Sequence, residues 1–96
     1  VTNEVLENYG AVSQPCVAQM LDGVQKLAGS DYAIAVSGIA GPTGGTELKP
    51  VGTVYIGLQT PCAQEVFHCN FSGPREAVQE QSTVFAIEKL AEVLEI

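Results

Sequence analysis

The chain has 96 residues, 46% of them apolar and 16% charged, and its eleven acidic and four basic side chains leave a net charge of −7. That length is one domain's worth, and a surface so poor in Lys and Arg repels a phosphate backbone, which excludes nucleic acid as a partner. No apolar run reaches the ~20 residues that span a bilayer and no basic-then-apolar leader opens the sequence, so no membrane association and a cytoplasmic location are expected.

Residues 2–9 predict a short helical turn with Val5, Leu6 and Tyr9 on one side. Ser13 reads as the N-cap of a second helix, with Pro15 in the first turn, where a missing N–H costs nothing. Val17, Met20, Leu21, Val24, Leu27 and Ala28 then recur at helical spacing until Gly29 ends the helix as a C′ glycine. Asp22 and Lys26 form an i,i+4 pair on the wet side. The apolar run Tyr32–Ser37, bounded by Gly29-Ser30-Asp31 and Gly38, predicts a buried central strand.

A second strand is expected over Val51–Leu58 and a third over Glu65–Phe71, where Phe67, Cys69 and Phe71 alternate with His68 and Asn70. The short connection Thr60-Pro61-Cys62-Ala63-Gln64 makes these two strands an antiparallel hairpin. A last helix runs from Pro74 to Leu94. Its apolar stripe is Ala77, Val84, Ile87, Ala91 and Leu94, widened by Val78, Phe85 and Leu90, while Glu80, Glu88, Glu92 and Glu95 line the wet face. This order predicts an α/β domain over residues 1–96, a small mixed sheet layered with helices. Three strands are few for so apolar a central strand, which points to more chain or another subunit completing the sheet.

The three cysteines, Cys16, Cys62 and Cys69, contain no CxxC pair, and the lone His68 completes no metal site, so the thiols read as small packing groups. The stretch Gly38–Pro50 is long for a connection between strands, and its four glycines let backbone N–H groups converge on an anion. Thr43 and Thr46 add hydroxyls there, and Lys49 adds charge. The same glycines also suit a wide turn that needs unusual backbone angles and binds nothing. The stretch is neither a Walker A nor a GxGxxG loop, and the strand that follows brings no helix dipole.

Arg75 falls at N2 of the last helix if Gly73 is the N-cap and Pro74 occupies N1. A cation placed against the helix dipole there either meets an anion or pairs with Glu76 or Glu80 on the surface. Ser37 lacks the glycine at position 35 and the following helix that a nucleophile elbow requires. His68 reads as a solvated or interface residue, not as a general base.

Gly10-Ala11-Val12-Ser13, Ser37-Gly38-Ile39-Ala40-Gly41-Pro42-Thr43-Gly44-Gly45-Thr46, Lys49-Pro50-Val51-Gly52-Thr53-Val54-Tyr55-Ile56 and Phe71-Ser72-Gly73-Pro74-Arg75-Glu76 together resemble the C-terminal domain of CinA proteins. The likeness runs in register over almost the whole chain. It implies an α/β/α fold of which this chain is an incomplete version, and a nicotinamide-nucleotide amidohydrolase that turns nicotinamide mononucleotide into the nicotinic acid nucleotide and ammonia. It implies a small-molecule nucleotide partner and no metal or organic cofactor; a homo-oligomer is expected besides.

By the same resemblance the substrate contacts are Gly38, Ala40, Gly41, Pro42, Thr43, Gly44, Gly45, Thr46, Lys49 and Arg75. The family's nucleophilic serine lies in an upstream E-S-C-T-G-G-type segment, and a strand after it supplies an assisting tyrosine and lysine. None of these is in this sequence, so the chain is expected to be an N-terminally truncated domain without catalytic residues of its own. A serine cannot be activated without a base within hydrogen-bond reach. A phosphate- or nucleotide-binding or assembly module without enzymatic activity is the alternative expectation. Pro74 departs from the polar residue common in the family before the arginine.

Overall fold

In a computed structural model, which describes residues 1–41, 43–47 and 49–94, the chain forms α1 (Asn3–Tyr9), α2 (Gln14–Ala28), β1 (Ala33–Gly38), β2 (Thr53–Gln59), β3 (Gln64–Asn70) and α3 (Arg75–Leu94). The elements follow the expected order, with boundaries moved by at most two residues. Thr2 caps α1, its hydroxyl accepting from Val5 N. The Ser13 hydroxyl accepts from Cys16 N at 3.3 Å and donates to Gly10 O at 2.8 Å, so a buried side chain serves both the helix start and the bend before it. Gly29 ends α2 in the left-handed conformation (φ 63°), and its N–H donates to Gln25 O.

The three strands form one sheet in the order β1-β2-β3, antiparallel throughout. The α/β class stands, while the mixed character expected of the sheet is absent among the described strands. β2, not β1, is central. β1 alternates: Ala33 and Ala35 are buried, whereas Ile34 and Val36 lie on the other face, with Val36 42% exposed. A run of apolar residues is what the sequence shows, and alternation emerges only when one face is covered and the other is not. The β2–β3 hairpin is as expected, closed by a Thr60 hydroxyl that accepts from Cys62 N and Ala63 N.

The helices cover opposite faces. Val17 and Leu21 of α2 pack on Ala33 and Ala35, with Tyr55 and Val66 beside them. There β2 presents Gly57, where an added Cβ would fall 2.6 Å from Val17 and 2.7 Å from Leu21. Val78 and Ala86 of α3 pack on Val54 and Ile56, flanked by Cys69, Phe71 and Phe85. Phe67 and Phe71 of the hairpin side both meet the Phe85 ring edge-on.

Three side-chain expectations differ. The far end of α2 overhangs the sheet, leaving Val24 exposed and Leu27 92% exposed. Asp22 accepts from Gln64 Nε2 of β3 at 3.1 Å instead of pairing with Lys26. On α3 the face against the sheet is Val78, Ser82 and Ala86; of the expected stripe Val78 is buried and Phe85 packs beside it, whereas Val84, Ile87 (60%) and Leu94 are exposed. Both sides of that helix are apolar, so periodicity alone does not choose between them. Glu80, Glu88 and Glu92 are exposed as expected, and Glu95 lies outside the described residues. No helix among the described residues is long and apolar enough to cross a membrane.

Candidate functional site

The uncovered half of the sheet creates the site. Because α3 lies across β2 and not β1, an open cavity of about 370 Å³ remains between Val36 of β1 and the first three turns of α3. Val54 and Val78 form its apolar floor, Gly38 and Ala40 its rim on the loop side, and Arg75, Gln79 and Thr83 its helical wall. A volume in the range of ~300–1,000 Å³ suits a small organic ligand.

Gly38 has to be a glycine, since a Cβ there would sit 2.8 Å from a Val54 methyl and 3.1 Å from Thr53 O. The loop then folds back on the start of β2: Ile39 N donates to Thr53 O at 2.9 Å and Ile39 O accepts from Gly52 N at 2.7 Å. Gly41 has φ +88° and a Cβ on it would fall 2.6 Å from a Val51 methyl, while a Cβ on Gly45 would meet Val51 N at 2.6 Å. These glycines thus have conformational reasons of their own, as the wide-turn reading requires.

Arg75 connects the loop to the helix. Its Nη1 donates to Gly41 O at 3.1 Å across 34 residues of sequence. Pro74 O accepts the first helical bond from Val78 N, so Arg75 stands at N1, one position earlier than expected. A guanidinium has five N–H donors in a rigid fork, so the bond to Gly41 leaves others for an anion at the cavity mouth. Pairing with Glu76 or Glu80 is not how this arginine is used.

The other cations lie elsewhere. Lys49 Nζ donates to Tyr9 O at 2.7 Å, away from the cavity lining. Lys89 pairs with Glu92 at 3.4 Å and sits over the Phe67 and Phe85 rings, while Lys26 stands in the last turn of α2. Burial raises the Cys69 thiol above its ordinary value, against a smaller lowering by Lys89. Ser37, next to Gly38, donates its hydroxyl to Ala11 O at 2.7 Å, and Ser82, which lines the cavity, donates its own to Val78 O at 2.7 Å. His68 is exposed and stacks on Tyr55 with ring centroids 4.6 Å apart.

Of the residues expected to contact substrate, the fold brings Gly38, Ala40 and Arg75 to the cavity, with Gly41 bonded to Arg75. Thr43, Gly44, Gly45, Thr46 and Lys49 lie outside its lining, and Pro42 lies outside the described residues. Gln79 and Thr83 line the cavity and went unnoticed in the sequence. The signal was there: Arg75, Gln79 and Thr83 recur at i,i+4, one polar row on a helix face.

The comparisons agree with this architecture. The profile of the CinA C-terminal domain matches residues 1–94. The nicotinamide-nucleotide amidohydrolase PncC of Escherichia coli (strain K12) is 46% identical over 91 residues, 94% of this chain and 55% of its own length. A CinA-like protein of Endomicrobium trichonymphae is 49% identical over 90 residues, 94% of this chain and 21% of its own length. The chain therefore spans about half, or a fifth, of these relatives.

The crystal structure of the competence damage-inducible protein A (ComA) from Klebsiella pneumoniae subsp. pneumoniae MGH 78578 superposes with a TM-score of 0.92 at 40% identity, over 99% of this chain and 59% of that one. With the family profile matched along residues 1–94 and a fold that superposes on a solved member, the chain belongs to the CinA C-terminal domain family.

Proposed function

We propose that this chain supplies the nucleotide-binding part of a nicotinamide-nucleotide amidohydrolase site, with the nucleophile and its assisting lysine contributed by sequence outside these 96 residues. The observation that carries the reading is the Arg75–Gly41 bond at the mouth of a cavity whose floor is Val54 and Val78. A guanidinium with free donors beside an apolar slot suits a ligand with an anionic phosphate at one end and a flat ring at the other. The PncC relative is named for action on such a nucleotide.

A second reading, a nucleotide- or phosphate-binding module without chemistry, draws support from Ser37, whose hydroxyl is engaged by Ala11 O. Titration of the chain with nicotinamide mononucleotide and with inorganic phosphate, followed by ammonia assay, separates the possibilities. Tighter binding of the nucleotide and ammonia release only by a chain extended upstream are the expected results. Equal, weak affinity for both ligands refutes a nucleotide site, and ammonia release by the 96-residue chain refutes an external nucleophile.

A further inference from the structure

Lys49 carries the second positive charge of the Gly-rich stretch, and its sequence position suggests an anion contact. The structure uses it otherwise. Its Nζ donates to Tyr9 O at 2.7 Å, one of the last carbonyls of α1, which no intrahelical donor reaches. Gly10 follows with φ +80°, and a Cβ built on it would lie 3.8 Å from Nζ, so the ammonium sits directly against this corner.

The Lys49 backbone is itself held in the loop. Its N–H donates to the Thr46 hydroxyl at 3.0 Å, and its carbonyl accepts from Thr46 N at 2.9 Å. A second tie runs parallel to it, from Ser37 at the end of β1 to Ala11 O. The corner between α1 and α2 is thus joined to the loop at its start by Ser37 and near its end by Lys49. On the far side, Arg75 holds Gly41.

We propose that Lys49 is a positioning residue: it fixes the distal part of the Gly-rich loop to the α1–α2 corner and makes no contact with the ligand anion. The ammonium is well suited to this. It presents three donors and no acceptor, and a charged donor on a backbone carbonyl is stronger than a neutral one. The fastening exists whatever ligand the cavity takes, and only the binding arm of the test below rests on the nucleotide reading.

The test uses the chain with Lys49→Met and Lys49→Arg. Amide hydrogen exchange is first measured without ligand at Thr46 and Gly52, both bonded within the loop, and at Ile56 in β2. Lys49→Met is expected to speed exchange at Thr46 and Gly52 by about tenfold while leaving Ile56 unchanged, and Lys49→Arg to restore protection. Unchanged exchange at Thr46 and Gly52 in Lys49→Met overturns the proposal.

If the Met variant also loosens Ile56, Lys49→Gln, which keeps a polar head on a shorter stem, carries the same comparison. Titration then compares nicotinamide mononucleotide with its dephosphorylated nucleoside. A positioning role weakens both by the same factor. A loss confined to the phosphorylated ligand shows direct contact and overturns the proposal. If neither ligand binds, the nucleotide reading fails and the exchange result alone decides the role of Lys49.

Discussion

Gly52→Ala is expected to remove a substantial part of the domain's stability. Gly52 joins the loop to β2 with φ +98°, its N–H bonded to Ile39 O and its carbonyl accepting from Phe71 N at 2.9 Å. A methyl there would fall 2.0 Å from Phe71 O, a backbone atom that cannot rotate away. Close C–H···O contacts settle at ~3.3 Å, so the strands must part by roughly 1.3 Å where they are bonded. The left-handed backbone costs an alanine about 1–3 kcal/mol, and forcing in a methyl costs a further ~1–3 kcal/mol.

A loss of about 2–6 kcal/mol compares with a total of about 5–14 kcal/mol for a domain of this size. Urea unfolding followed by far-ultraviolet circular dichroism measures it, and a 3 kcal/mol loss lowers the midpoint by about 2 M at a typical slope of ~1.5 kcal/mol/M. Gly23→Ala is the control of opposite sign. It lies inside α2 with nothing within 4 Å of its Cβ position, and should gain about 0.5–1 kcal/mol. A Gly52→Ala midpoint within ~0.5 M of the parent would refute the steric reasoning.

Arg75→Ala should weaken nicotinamide mononucleotide binding by at least about tenfold, and Arg75→Lys should recover little of it, since an ammonium cannot hold Gly41 O and a phosphate in one planar fork. Calorimetric titration reads both, and full recovery by lysine would contradict the two-contact geometry. Ser13→Ala should cost about 1–2 kcal/mol in the same urea assay, because its hydroxyl both caps α2 and satisfies Gly10 O. Thiol labelling should modify exposed Cys62 first and buried Cys16 last. Cys69 holds its proton to higher pH in the folded state, so stability is undiminished below the ordinary thiol value of 9.0 and falls above it, where the unfolded thiol ionises first. Cys69→Ala should flatten that decline, as pH-dependent melting would show.

Local signals carried much of the fold. Ser13, Gly29 and the Thr60–Ala63 turn declare themselves because each acts on backbone within four residues. What stayed hidden was set by distant partners. β1 reads as central because Ile34 and Val36 are as apolar as Ala33 and Ala35, and only the position of α3 decides which pair stays uncovered. The exposed Val84, Ile87 and Leu94 of α3 and the inward Ser82 run against the simple hydrophobic rule, the serine being admitted because its hydroxyl donates to Val78 O at 2.7 Å. At the site, charge drew attention to Arg75, which lines the cavity, and to Lys49, whose ammonium is bonded to Tyr9 O outside that lining. A composition shows where cations are, not which carbonyls are already waiting for them.

The Gly-rich loop is moored to helical layers on opposite sides of the sheet: Arg75 reaches it from α3, and Lys49 ties it to the corner that leads into α2. Among the described residues the two layers have separate clusters of buried residues, with the strands between them. A slip of one layer against the other therefore changes the span between the moorings before it disturbs either core. The loop acts as a gauge of alignment across the sheet. Repacking at Leu21 or at Ala86, each buried on its own side, should register at the mouth of the cavity although neither lines it.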